Sequence, residues 1–367
     1  VLIDHTFAVP LDHARPESEQ ITVFAREVVA PDRERADMPW LVFFQGGPGF
    51  GSPRPLTKSG WLKRALKEYR VLLLDQRGTG RSSPVNYQTL ARFASPRAQA
   101  DYLKHFRADA IVQDAEWIRR QMLGEAVPWS GLGQSYGGFC LLQYLSAAPD
   151  GLEEVIFTGG LPPVDLSADD VYRATYQRVR EKNRRYYERY PDDVARAQAI
   201  AFYLAANEVH LPGGGILSPR RFQQLGIAFG ASDGFEQVHY LIEDVFVEGP
   251  NGKELSHSFL RGFENAFAFQ TNPIFAILHE AIYCQEQASN WAAERVRAEY
   301  PEFTIRPDAP IYFTGEMIYP WMFDEYTNLR PLQEAADILA VYEGWPRLYD
   351  LEALQANKVP CVAAVHY

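Results

Sequence analysis

An α/β architecture, a mostly parallel sheet flanked by helices and interrupted by one long helical insertion, is predicted by three features of the 367-residue sequence. Short apolar runs end in turn residues, amphipathic stretches separate several of them, and from about 167 to 300 the text is almost wholly helical. Strands that alternate with helices need crossover connections, and these make neighbouring strands parallel.

The strand-like runs are 21–28, 40–44, 70–75, 129–134, 155–158 and 359–367. Helical periodicity is clearest over 114–122 and 139–147. The pattern changes after Pro163, where the text becomes rich in Arg, Glu, Tyr and Phe, with breaks at Pro191, 212–215, 249–252 and Pro273. Such an insertion is expected to cap the carboxyl edge of the strands, where open α/β sheets place their ligands. A further strand-like run, 311–314, lies near its end, and helical text returns over 332–342 and 351–355. The expected domains are a core over 1–163, a mainly helical cap over 164–345 and a return to the core over 346–367.

Composition narrows the function classes. A hydrophobic content of 47% suffices for a large core or for a core with a smaller second domain. The net charge of −11 argues against nucleic acid as a partner. Basic residues do cluster at Arg178, Arg180, Lys182, Arg184 and Arg185, but acids flank them in a helical pattern that reads as an exposed face. Cys140, Cys284 and Cys361 are far apart and lack zinc or redox spacing, so they read as buried thiols in a reducing compartment. No apolar run reaches the roughly 18 residues of a membrane span, and the start at Val1 lacks signal-peptide features. A cytoplasmic chain with no membrane partner is expected, and Val1 in place of methionine suggests trimming at the front.

The strongest chemistry is Gly133-Gln134-Ser135-Tyr136-Gly137, followed by Gly138. Strand text precedes it and helical text follows, the context of a nucleophile elbow that holds a serine out at a sheet edge. Glycines flank the serine because side chains there would collide with the neighbouring strand and helix. The plain alternative is a chance match in a glycine-containing turn. A second signal, Gln45-Gly46-Gly47-Pro48-Gly49, follows the apolar strand ending in Phe44. Small residues there let backbone N–H groups approach a reacting carbonyl oxygen, with the Tyr136 amide as second donor. A tight Gly-Pro turn without catalytic role is its alternative; a phosphate loop is disfavoured because no Lys-Ser or Lys-Thr stands directly after the glycines. The third signal, Asp75-Gln76-Arg77-Gly78-Thr79-Gly80-Arg81-Ser82, also follows a strand and reads as scaffold whose charges pair and brace neighbouring loops.

Together these three motifs resemble the proline iminopeptidases, or prolyl aminopeptidases, of the α/β-hydrolase superfamily. The likeness covers the first 163 residues well and the cap loosely. One departure is Gln45, where most of that family has histidine; because the donors are backbone groups, the oxyanion hole survives while the bracing of its loop must differ. The resemblance implies an α/β-hydrolase fold with a large helical cap, Ser135 as nucleophile, and Gly47 and Tyr136 as oxyanion donors. It further implies short peptides with N-terminal proline as substrates, and neither metal nor organic cofactor. The family also needs an anionic site for the substrate amine and a pocket for the pyrrolidine ring. Glu280 and Glu316, acids within apolar text, are the expected amine partners, with structural ion pairs as the alternative. Phe139, Tyr319 and Trp321 are candidates for the walls of the ring pocket.

A serine nucleophile also needs a base and an acid, which in this fold follow it in chain order. His5, His13 and His105 precede the serine, and His210, His239, His257 and His279 fall in cap text. The strand leading to His366 resembles the one after which the family places its acid, so both partners are expected beyond Tyr367, in a chain that continues further. A degenerate hydrolase that binds peptides without cleaving them is one alternative. Another is an unusual triad of His366 or His279 with Asp324 or Asp350. Esterase, amidase or other aminopeptidase activity would share the core and differ in the cap.

Overall fold

The computed structural model describes residues 1–250 and 252–365. Its strands are β1 (Leu2–Pro10), β2 (Gln20–Val28), β3 (Trp40–Phe44), β4 (Arg70–Leu74), β5 (Trp129–Gln134), β6 (Leu152–Thr158), the hairpin pair β7 (Phe246–Gly249) and β8 (Gly252–Leu255), and β9 (Cys361–Ala364). Among the described residues seven of these form one sheet, in the order β1-β2-β4-β3-β5-β6-β9. The β1–β2 and β2–β4 pairs are antiparallel, and every pair from β4 through β3, β5 and β6 to β9 is parallel.

The central strands are continuous apolar runs because both faces of the sheet are covered. Alternate residues separate cleanly between the faces. Val42, Phe44, Leu72 and Leu74 join Ile111, Ala115 and Ile118 of the helix Ala108–Leu123, and Cys140, Leu141 and Tyr144 of the helix Tyr136–Ala147. Leu41, Phe43, Val71 and Leu73 instead join Leu62, Ala65 and Leu66, at the helix Gly60–Ala65.

Two compact units divide the chain. The first comprises Val1–Asp165, Asn272–Ala288 and the described residues from Tyr342 onward; the second comprises Leu166–Thr271 and Ser289–Val341. Residues 272–288, which the sequence assigns to the cap, therefore group with the sheet, and Glu280 goes with them. The cause is a close packing that only glycine permits: a Cβ on Gly78 would lie 2.6 Å from Ile274 Cδ1, and one on Gly49 would lie 2.8 Å from Ile274 Cβ.

The second unit is helical, as its text suggests, with Ala168–Arg189 and Asp193–Ala206 its longest helices, but it also carries the β7–β8 hairpin, which the sequence reading missed. Arg178, Arg180, Arg184 and Arg185 are exposed on Ala168–Arg189, with Arg180 paired to Glu302 at 3.2 Å. The expected strand at 311–314 does not form. Its backbone groups bond to side chains instead of a neighbouring strand: Asn183 accepts from the Phe313 N–H and donates to its carbonyl, both at 2.8 Å, and Gln223 donates to the Tyr312 carbonyl at 2.7 Å.

Two smaller corrections concern the first unit. The sequence reading leaves β1 unassigned although its burial alternates along the strand. Cys140 and Cys284 are buried as expected, but Cys361 is exposed because it lies on β9, whose described side chains all face solvent. Among the described residues no helix is long and apolar enough to cross a membrane.

Candidate active site

β5 delivers the chain to Ser135 at the sheet edge, and the helix Tyr136–Ala147 leaves from it. Ser135 has φ 52° and ψ −122°, a conformation that L residues avoid and that marks a sharp turn between strand and helix. The turn is pinned by backbone: the Ser135 N–H donates to the Thr158 carbonyl at 3.1 Å, and the Gly138 N–H donates to the Ser135 carbonyl at 2.8 Å. The motif glycines follow from crowding. A Cβ on Gly137 would stand 2.0 Å from the Phe44 carbonyl oxygen, and one on Gly133 would stand 2.5 Å from the Gly137 carbonyl oxygen.

The Gly46–Gly47 loop runs directly past this turn. A Cβ on Gly46 would lie 3.0 Å from Ser135 Cβ and 3.2 Å from the Gln134 carbonyl oxygen, so a side chain there would crowd the serine turn. Ser135 is half-buried, and its hydroxyl makes no hydrogen bond among the described residues. The Tyr136 amide is the first of its helix and has no acceptor within it. The arrangement can present a hydroxyl to an electrophilic carbon while backbone N–H groups meet the oxygen that becomes charged.

Aromatic side chains of the first unit pack on residues that follow the turn and the glycine loop. Phe139 lies one helical turn after Ser135, half-buried, with its ring 5.8 Å from Tyr136 and 5.9 Å from Tyr283. Phe50, next to the glycine loop, meets Phe275 at 5.2 Å, and Phe275 meets His279 at 5.1 Å. The segment 272–288 thus supplies several of these rings, a contribution hidden in the sequence because it lies far from every motif. Glu280 is 4% exposed in a short turn of that segment, which places this expected amine partner in the first unit.

Glu316 belongs to the second unit. Its side chain reaches solvent, yet partial burial by the protein around it pushes its carboxyl up to about 6. Tyr319 and Trp321 of the same unit stack with ring centroids 5.4 Å apart. The sequence reading passed over Glu294 because it sits in charged helical text; one of its carboxylate oxygens is buried without a hydrogen-bond partner among the described residues.

Among the described residues no histidine hydrogen-bonds to Ser135, and the alternative built on His279 finds no support there. His279 is 2% exposed between aromatic rings, and burial pushes its pKa down to about 4, so it is neutral. Asp350 caps the helix Leu351–Gln355, and Asp324 accepts from Gln333 at 3.0 Å. His366 lies outside the described residues.

Comparison with known proteins bears on the same residues. A model of the alpha/beta hydrolase fold matches residues 39–212, the stretch that carries all three motifs. A proline iminopeptidase from Aeromonas sobria is 52% identical over 363 residues, which cover 99% of this chain and 84% of that protein. The chain belongs to the proline iminopeptidase family. Proline iminopeptidase aneH of Aspergillus aculeatus is 38% identical over 365 residues, covering 98% of this chain and 81% of that one. A solved structure of a hydrolase from Pseudomonas aeruginosa aligns over 98% of this chain and 80% of that one, at 13% identity and a TM-score of 0.36. Membership of the proline iminopeptidase family makes the fold an α/β-hydrolase fold and the chain a hydrolase.

Proposed function

We propose that this member of the family is a serine aminopeptidase that releases N-terminal proline from short peptides, with Ser135 as its nucleophile. What supports the chemistry most is the placement of Ser135 at positive φ with the bare Gly46 backbone against it. The substrate class rests on the identity to the Aeromonas sobria protein. In the proposed reaction the Ser135 oxygen attacks the carbonyl carbon of the first residue as a general base takes its proton. The oxygen of the tetrahedral intermediate is held by the Gly47 and Tyr136 amides. The leaving peptide takes up a proton as the C–N bond breaks, and water then releases proline from the acyl-enzyme.

Carboxylates fix the register by pairing with the substrate amine, so that only the first peptide bond reaches the serine. Glu280 and Glu316 are the groups proposed for this, and Phe139 is proposed as a wall of the pyrrolidine pocket. A cytoplasmic setting is proposed from the sequence alone. The test is a panel of proline-4-nitroanilide, alanine-4-nitroanilide and 4-nitrophenyl acetate. The proposal expects kcat/KM for the proline compound to exceed that for alanine by at least about a hundredfold, on the order of what a fitted pocket discriminates. Preference for the acetate would replace the peptidase reading with an esterase one.

A further inference from the structure

The Asp75–Ser82 motif takes no part in the chemistry just described, yet its first two side chains hold the glycine loop at both ends. Gln76, 1% exposed, donates from Nε2 to the Gln45 carbonyl at 2.9 Å, immediately before Gly46. Asp75, fully buried, accepts from the Ser52 N–H at 2.9 Å on the far side of the loop. The same carboxylate accepts from both terminal nitrogens of Arg54, at 2.9 and 2.5 Å, and from the Arg81 N–H at 2.8 Å. The fit leaves no slack: a Cβ on Gly51 would lie 3.1 Å from Asp75 Oδ1, and one on Gly80 would lie 2.2 Å from Oδ2. Ser52 adds a hydroxyl bond to the Leu74 carbonyl at 2.7 Å.

Glycines fix their own amides weakly, because without a Cβ their dihedrals are loosely constrained, and only Gly47 gains some restraint from the proline after it. A donor that must meet an oxyanion within a few tenths of an ångström therefore needs anchors outside the pair. We propose that Asp75 and Gln76, adjacent at the end of β4, are positioning residues: Gln76 fixes the entry to the Gly46–Gly47 turn and Asp75 fixes its exit, and together they aim the Gly47 N–H. Neither touches substrate. The inference rests on the proposed role of Gly47, and it assigns a catalytic consequence to a motif that otherwise reads as scaffold.

The test uses the full chain and Gln76→Met, which keeps the side-chain length and removes the donor. With proline-4-nitroanilide, kcat falls about tenfold, a fraction of the loss seen when an oxyanion donor is removed outright, while KM stays within twofold. In the same variant, amide hydrogen exchange in peptides covering 45–54 quickens, while peptides covering 133–140 are unchanged. Ser95→Ala is the control. It removes the side-chain cap that accepts from the Ala98 N–H at the start of the helix Pro96–Leu103, away from the glycine loop, and it lowers Tm with kcat unchanged. Should Gln76→Met not fold, Gln76→Asn, whose shorter amide cannot reach Gln45, is read in the same way. Exchange over 45–54 that stays at the wild-type rate overturns the proposal. A wild-type chain that leaves proline-4-nitroanilide intact sinks the peptidase reading instead, and the exchange measurement still decides the clamp.

Discussion

Ser135 sits in backbone that costs about 1–3 kcal/mol to hold, and the sheet and helix on either side of it supply the constraint. That strain was readable in advance, since glycines at 133 and 137 leave room for such a turn and for little else. The acids were harder to read. Nothing within ten residues of Glu280 signals that its segment groups with the sheet, and Glu294 looks like any exposed helix acid. Glu316 carries a testable consequence of its own. With its carboxyl pushed up to about 6, it becomes a carboxylate only as pH rises through that value. If it pairs with the substrate amine, KM for proline-4-nitroanilide falls as pH rises from 5 to 7, and Glu316→Gln flattens that dependence while raising KM at pH 7. Stability runs the other way. A carboxyl held above its unfolded value favours the fold most below that value and loses the contribution as pH rises through about 6. The Tm of Glu316→Gln should therefore gain on the wild type between pH 5 and 7. A KM profile identical in the two proteins would remove Glu316 from the amine site.

At the scale of elements, the strands of the central sheet were legible because burial on both faces leaves uninterrupted apolar text. The run 311–314 has the same text for a different reason. Ile311 and Phe313 are buried in the second unit, but their segment is held by side chains of the helices Ala168–Arg189 and Pro219–Gln223 instead of by a ladder. Local apolar pattern cannot tell these cases apart, since the partner lies more than 80 residues away. Asn183 is the sharpest point of that arrangement. It is fully buried and serves both the N–H and the carbonyl of Phe313. Asn183→Ala strands both groups and should cost about 3 kcal/mol, measured as a lower urea midpoint with an unchanged slope. A loss below about 0.5 kcal/mol would show that the segment finds other partners.

For the whole molecule, three short motifs sufficed to place the chain in its family, because each encodes a close backbone approach that composition cannot imitate. The division into units was less accessible. Residues 272–288 leave the second unit's text and pack on Gly49 and Gly78, a contact written in two glycines more than 190 residues upstream. Charge is distributed so that paired acids accompany the arginines of Ala168–Arg189, in keeping with an acidic chain of net charge −11. Everything catalytic in the account converges on one oxygen atom. Its most direct test is the rate of 4-nitroaniline release from proline-4-nitroanilide by the wild-type chain and by Ser135→Ala, at equal concentration and with matched melting curves. The account predicts steady turnover by the first and a rate at least about a thousandfold lower in the second, as expected when a nucleophile is removed. Turnover that survives in Ser135→Ala at a rate near that of the wild type would contradict it.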